Sequence, residues 1–345
     1  MLLHVRPPAS ILRSCPGALS PRTPLISRRT IASHFNLSAY LITPAELSAA
    51  LKKNSSSKIS TAPRIVPLCA TWFLPNDPLK RTGWNEFKSI RIPRAKFFDI
   101  DKISDTSSPY PHMLPSADLF ARAMRRLGIR REDTVVVYDS KDLGIFSAPR
   151  VAWTFKVFGH PDVHILNNFK VWCDDGYPTE SGMLEKLEAV DYPVPELDKD
   201  KVAAFEDVRD VARQQSGALS PRSVQILDAR SRGRWEGKEP EPRPGLPSGH
   251  IPSSVSVPVS ELLDPERKTL LPPSELQALF KQKGVDPSIP TISSCGTGIT
   301  AAVIDAALEE AGFAERGRRI YDGSWTEWAS RAKQDGMEDA LIGKA

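Results

Sequence analysis

Apolar positions along the chain follow two alternating patterns. The run "TVVVYD" at 134–139 and the stretch "IVPLCATW" at 65–72 have the length and β-branched content of fully buried strands. Other segments place apolar residues at helical spacing. Val303, Ile304, Ala307, Leu308 and Ala311 share one face of a helix that Gly312 ends. In the segment after 139, Ser147 stands as an N-cap residue, Pro149 suits a first helical turn and Gly159 follows the helix as its C′ glycine. Strand–loop–helix units in succession predict an α/β protein, each sheet mainly parallel with helices on both faces. Ligands of such sheets bind at the carboxyl ends of strands. Asp139 and Cys295 both fall at such ends.

The pattern occurs twice. "RIPRAKFFDID" at 91–101 matches "HIPSSVSVPVS" at 250–260, and "VVVYDSKDLGIFSAPRVAWTFKVFG" at 135–159 follows the plan of "TISSCGTGITAAVIDAALEEAG" at 291–312. "ILNNFKVW", ending at Trp172, corresponds to "IYDGSWTEW", ending at Trp328. The offset is 159 from Pro93 to Pro252 and 156 from both Asp139 to Cys295 and Trp172 to Trp328. Near-constant offsets of this size indicate a duplicated domain, not a solenoid of short repeats. Residues 178–202 are proline-rich and charged with little periodicity, so they read as a linker. The expected division is 39–178 for the first domain, 179–202 for the linker and 203–345 for the second.

Charge refines the picture at the N-terminus. The formal net charge is +4, but residues 1–36 hold Arg6, Arg13, Arg22, Arg28 and Arg29 and no acid. Without those five charges the rest of the chain is close to −1, so no basic surface for nucleic acid is expected. An acid-free segment rich in Arg and Ser has the composition of a mitochondrial transit peptide. Residues 1–38 are assigned that role, with the matrix as destination and the cytoplasm as an additional location. Five prolines between positions 7 and 24 argue against one long amphipathic helix there. No stretch approaches the roughly 20 apolar residues of a membrane span.

The four cysteines, Cys15, Cys69, Cys173 and Cys295, lie far apart with no C-x-x-C pair or metal spacing, which suits a reducing compartment. Cys69 and Cys173 read as small buried hydrophobes. Cys295 differs because "SSCGTGIT" opens straight into a helix. Gly296 and Gly298 permit positive φ, so the loop can turn N–H groups inward while the helix adds its own unpaired donors. Such surroundings favour a thiolate and would equally hold a persulfide anion. Cysteine phosphatase chemistry needs an arginine six residues on, where Ala301 stands. A cysteine hydrolase needs a histidine base, for which His250 is the candidate by sequence. Sulfur transfer needs only the stabilised thiolate and an oriented donor. No metal or organic cofactor has a motif here.

The loop "CGTGIT", the run "DARSRGRWEGKEPEPRPGLPSGHIP" at 228–252 and the tandem plan together resemble the rhodanese superfamily, and within it the 3-mercaptopyruvate sulfurtransferases. The likeness extends from about residue 65 to 331. It implies two tandem rhodanese-like domains, with Cys295 as the nucleophile that becomes a persulfide. It further implies that Arg234 and Arg243 bind the donor with Gly296, Gly298 and Thr300 of the loop. Thr297 would act with His112 and Asp101, both from "DIDKISDTSSPYPHMLP" in the first copy. The implied donor is 3-mercaptopyruvate and the acceptor a thiol such as thioredoxin, or cyanide. Thiosulfate sulfurtransferase is the nearest alternative, although that class usually has loop cations. A protein-fed sulfur relay for tRNA or cofactor thiolation and a silent binding module are the others. The first copy departs from the family pattern at Cys69, Arg91, Phe146, Asn167 and Asn168.

Overall fold

The computed structural model of the protein describes residues 37–344 apart from 56–59, 185–186, 216–222 and 316. The segment assigned to targeting therefore lies outside the described residues, except for Leu37 and Ser38. Leu37 is buried against the first sheet's core.

Among the described residues, ten strands form two five-stranded sheets. The first contains β1 (Leu41–Ile42), β2 (Ile65–Cys69), β3 (Lys96–Phe97), β4 (Thr134–Tyr138) and β5 (Val163–Leu166), in the order β1-β5-β4-β2-β3. The second contains β6 (Val202–Ala203), β7 (Gln225–Asp228), β8 (Val255–Ser256), β9 (Thr291–Ser294) and β10 (Arg318–Tyr321), in the order β6-β10-β9-β7-β8. Each order is the other shifted by five strands, and every strand pair is parallel. The duplication seen in sequence is thus a duplication of topology. The central strands are buried on both faces, which is why they read as continuous apolar runs instead of alternating ones.

The helices Ala148–Val157 and Ala301–Ala311 follow β4 and β9 and pack against each other across the seam between the halves. Both are buried along most of their length, and one apolar cluster continues from Val151 and Phe155 to Val303, Ile304 and Leu308. Truncating a fully buried member of this cluster such as Phe155 to alanine costs about 3–5 kcal/mol. Because the seam is a shared core, the site built above it is rigid.

Residues 178–202 are not a loose connection. Arg91 is buried and donates from Nε to Glu180 Oε1 at 2.8 Å, and from its other nitrogens to the carbonyls of Gly182 and Met183. Tyr192 is fully buried, edge-on to Phe120, and hydrogen-bonds His160. The segment is a strap on the first half. Its low periodicity reflects an extended chain whose few inward residues are spaced irregularly.

Candidate functional site

β9 ends at Ser294, and the loop 295–300 joins it to the helix Ala301–Ala311. Cys295 is 2% exposed. Its N–H donates to Ser324 Oγ at 3.2 Å, and its carbonyl accepts from Trp325 N–H at 2.9 Å. The Gly296 carbonyl accepts from Thr326 N–H at 3.0 Å and Thr326 Oγ1 at 2.7 Å. The first turn of the helix Ser324–Gln334 thus supports the loop from behind. The N–H groups of residues 296–300 donate to no acceptor among the described residues, leaving them for an anion. Gly298 has φ +77°, and a Cβ there would lie 2.6 Å from Arg150 Nη1 and 2.8 Å from the Asp322 carbonyl. Gly296, expected to share that freedom, does not adopt positive φ. It gives room instead to the Arg234 guanidinium, 3.4 Å from where its Cβ would stand. Thr300 is the helix's N-cap residue without a side-chain cap.

The equivalent place in the first half is already filled. The Asp139 carboxylate accepts from the N–H groups of Phe146, Ser147 and Ala148 at 2.8–2.9 Å and from Ser147 Oγ at 2.5 Å. Ser147 therefore does not cap its helix as expected, because its hydroxyl is committed to Asp139. The strand end that opens into a helix N-terminus holds a carboxyl group here, on the same kind of backbone donors that surround Cys295, although burial raises the Asp139 pKa.

Asp101 and His112, both from the first half, meet Thr297 from the second. His112 Nδ1 lies 3.0 Å from Thr297 Oγ1, and His112 Nε2 lies 3.0 Å from Asp101 Oδ1. Asp101 also accepts from Trp72 Nε1 at 3.1 Å, and the Trp72 ring meets the imidazole edge-on with centroids 4.7 Å apart. Burial holds the His112 pKa below its ordinary value against the opposing pull of Asp101. The hydrogen bond from His112 likewise holds Asp101 below the usual carboxylate range. A neutral imidazole donates from Nε2 to the carboxylate, so its Nδ1 lone pair accepts the Thr297 hydroxyl proton. Trp72 had no signal in the sequence reading, since its role is to orient a residue forty positions away.

Arg234 and Arg243 reach the site from the segment after β7. Glu241 is buried and bridges Arg230 Nη1 at 2.7 Å to Arg234 Nη2 at 2.5 Å. Arg230 is itself held by the Asp228 carboxylate and the Gly249 carbonyl. Arg234 Nε is buried without a hydrogen-bond partner. Arg243 has no ion pair among the described residues. Burial lowers its pKa, while the charges of Cys295, Glu241 and Asp101 act on it in the opposite sense. The pair presents one fixed guanidinium and one uncommitted one beside the cysteine loop, an arrangement suited to a small carboxylate. His250, the histidine considered for a hydrolase, stacks on Trp235 with centroids 3.8 Å apart and donates from Nδ1 to its carbonyl at 2.8 Å. It is structural. Cys69 is buried as expected, which pushes its thiol up to about 12; Cys173 is only half-buried, and that partial burial also raises its thiol. Cys15 lies outside the described residues.

A duplicated five-stranded parallel sheet, with one strand end carrying a cysteine in an anion cradle, defines a protein built of rhodanese-like domains. The rhodanese-like domain family matches residues 208–331. Over 276 residues the chain is 43% identical to the probable 3-mercaptopyruvate sulfurtransferase of Schizosaccharomyces pombe, covering 79% of this chain and 89% of that one. It is also 43% identical over 282 residues to the thiosulfate sulfurtransferase TUM1 of Saccharomyces cerevisiae, covering 78% and 90%. Among solved structures, the yeast mitochondrial complex I sub-stoichiometric sulfur transferase subunit matches with a TM-score of 0.77 at 38% identity, covering 89% of this chain and 100% of that one. The chain belongs to the rhodanese-type sulfurtransferases, and sulfur transfer is its reaction.

Proposed function

We propose that the protein transfers sulfur from 3-mercaptopyruvate to a thiol or to cyanide through a persulfide on Cys295. The observation that carries this reading is the uncharged loop 296–300 beside one fixed and one free arginine. A 2-oxo carboxylate uses two guanidinium groups and needs no cation in the loop, whereas the doubly charged thiosulfate would gain from one. Relatives named for each donor are equally identical to the chain, so the choice rests on this chemistry.

In the first half-reaction the Cys295 thiolate attacks the donor's sulfur as the carbon–sulfur bond breaks. The electron pair of that bond leaves as the enolate of pyruvate, which Arg234 and Arg243 stabilise. The donor's thiol proton passes through Thr297 to His112, whose charged form Asp101 stabilises, and returns to the enolate carbon. The products are pyruvate and Cys295–S–S⁻, held by the loop N–H groups. In the second half-reaction cyanide or a thiolate attacks the outer sulfur and restores the Cys295 thiolate. A dithiol acceptor such as reduced thioredoxin then closes its own disulfide and releases hydrosulfide. This is ping-pong covalent catalysis.

The same reading places the protein in the mitochondrial matrix, with a cytoplasmic pool as the alternative. The support is the Arg- and Ser-rich, acid-free N-terminus together with a mitochondrial relative of 38% identity.

Incubation with 3-mercaptopyruvate, and separately with thiosulfate, tests the proposal by following pyruvate and the mass of the Cys295 peptide. Expected are pyruvate release and the gain of one sulfur atom from mercaptopyruvate, both lost in Cys295→Ser. Sulfur loading from thiosulfate alone would overturn the donor assignment. Loading from neither, with loading from a cysteine desulfurase, would make the protein a relay.

A further inference from the structure

An ion pair joins the two halves directly behind the site. Arg150, on the helix Ala148–Val157, places Nη2 at 2.5 Å from Asp322 Oδ1, with side chains 2% and 8% exposed. The same Nη2 donates to the His112 carbonyl at 2.6 Å, and Nη1 reaches the Gly298 carbonyl at 3.4 Å. Asp322 Oδ2 accepts from Leu114 N–H at 2.8 Å. One guanidinium therefore touches the backbone of both functional loops. His112 itself has φ +65°, a left-handed conformation that a non-glycine residue holds only when its surroundings impose it. The two bonds from Arg150 and Asp322 seize that turn at His112 and again two residues later.

Buried ion pairs add little stability compared with apolar packing, so geometric specificity is the better reason for one here. We propose that Arg150 and Asp322 are positioning residues, which hold His112 in register with Thr297 across the seam and thereby set the proton path of sulfur transfer. The proposal rests on His112 acting as the proton carrier. It predicts an effect on rate that is large only while His112 is present. It also predicts an effect on pH dependence. The charged groups around the imidazole are Asp101, which favours its protonation, and Arg150 and Arg243, which oppose it. Asp322 faces it through Arg150.

The test compares Arg150→Met/Asp322→Asn, Arg150→Lys and His112→Ala, alone and combined, by single-turnover persulfide formation from 3-mercaptopyruvate across pH. The double variant removes both buried charges while asparagine still accepts from Leu114. A displacement of His112 by about 1 Å is expected to slow the reaction roughly 10- to 100-fold. The acidic limb should move to higher pH, because Arg150, which opposes imidazole protonation, has gone, while the Asp322 charge lost with it acts on His112 only from behind Arg150. Arg150→Lys keeps the charge but cannot span both carbonyls, so its rate falls while the limb stays in place. In the His112→Ala background, where only the long 3.4 Å contact from Arg150 to the Gly298 carbonyl is left to lose, either change should cost far less than it does with His112 present. Additive losses in the His112→Ala background, with an unmoved limb in the double variant, would overturn the proposal and leave a purely structural pair. A wild-type rate in His112→Ala alone would instead remove the assignment of His112. If the double variant does not fold, the lysine variant and its His112→Ala combination decide the same question.

Discussion

Glu241→Gln tests the proposed donor-binding role of Arg234 by separating that arginine from the carboxylate that holds it. The glutamate is buried and gives one oxygen to Arg230 and the other to Arg234. Glutamine keeps a single acceptor and turns its NH₂ group towards the other guanidinium. Arg230 retains the Asp228 carboxylate and the Gly249 carbonyl, so it stays in place. Arg234 has no second ion-pair partner among the described residues and is the one released. A charge-assisted hydrogen bond contributes about 1.5–3 kcal/mol. If that energy serves to hold Arg234 against the bound donor, its loss lowers kcat/KM for 3-mercaptopyruvate roughly 10- to 150-fold. Under the proposed mechanism the loss should appear in both constants, in KM through donor binding and in kcat through the enolate that Arg234 stabilises. Steady-state pyruvate release over a range of donor concentrations measures it. Arg234→Lys is the companion variant, because it keeps a charge but loses the fork geometry. An unchanged kcat/KM in folded Glu241→Gln would refute the reasoning: either Arg234 is held by something else, or the donor does not use it.

Three further outcomes follow from the geometry. Asp139→Ala leaves three backbone N–H groups and the Ser147 hydroxyl without their buried acceptor, and should cost at least about 3 kcal/mol in urea denaturation; a loss under about 1 kcal/mol would mean that water or another group fills the place. Burial lowers the pKa of His160 from 6.5 to about 4, so the folded state binds fewer protons than the unfolded chain between those values. Its contribution is complete above about pH 6.5 and falls by about 3 kcal/mol as pH drops to about 4; His160→Gln should flatten that part of the stability–pH curve, and an equally steep curve in the variant would assign the effect elsewhere. Gly298→Ala drives a methyl group against Arg150 and the Asp322 carbonyl at a backbone angle that alanine resists. Persulfide formation should fall by about tenfold or more with the circular dichroism spectrum unchanged, whereas wild-type turnover would show that the loop tolerates displacement.

What could be read from the chain and what could not divide along a physical line. The strands were legible because a buried parallel strand writes itself as a run such as "TVVVYD". The Cys295 loop was legible because glycines just after a cysteine and ahead of a helix mark a tight turn. Only Gly298 takes the positive φ expected of both, however, and Gly296 instead makes room for Arg234. His112 was not legible from its own surroundings. It meets Thr297 across 185 residues of sequence, and no local pattern encodes a distance set by the packing of two domains; only the family resemblance pointed to it. Glu241 lies within the run "EPEPR", where an acid among surface-like charges gives no sign that its carboxylate is buried. Arg150 did leave a signal: a single arginine within "APRVAWTFKV", a helix otherwise almost wholly apolar. A charge in that position must be paired inside the protein or not be there at all.

The duplication explains why these unread residues cluster at the seam. Two copies of one sheet carried two anion cradles, and the first now closes on its own Asp139 carboxylate. That copy has no open cradle for a substrate sulfur, yet it provides Asp101, His112, Trp72 and Arg150 to the second. Under the proposed mechanism one half supplies the orienting groups and the other the nucleophile, so the relative placement of the halves becomes part of the site. Shared apolar packing holds such a seam together, but burial of apolar surface is non-directional. Directional contacts across it, from Arg150 to Asp322 and from His112 to Thr297, are what convert a packed interface into a defined geometry.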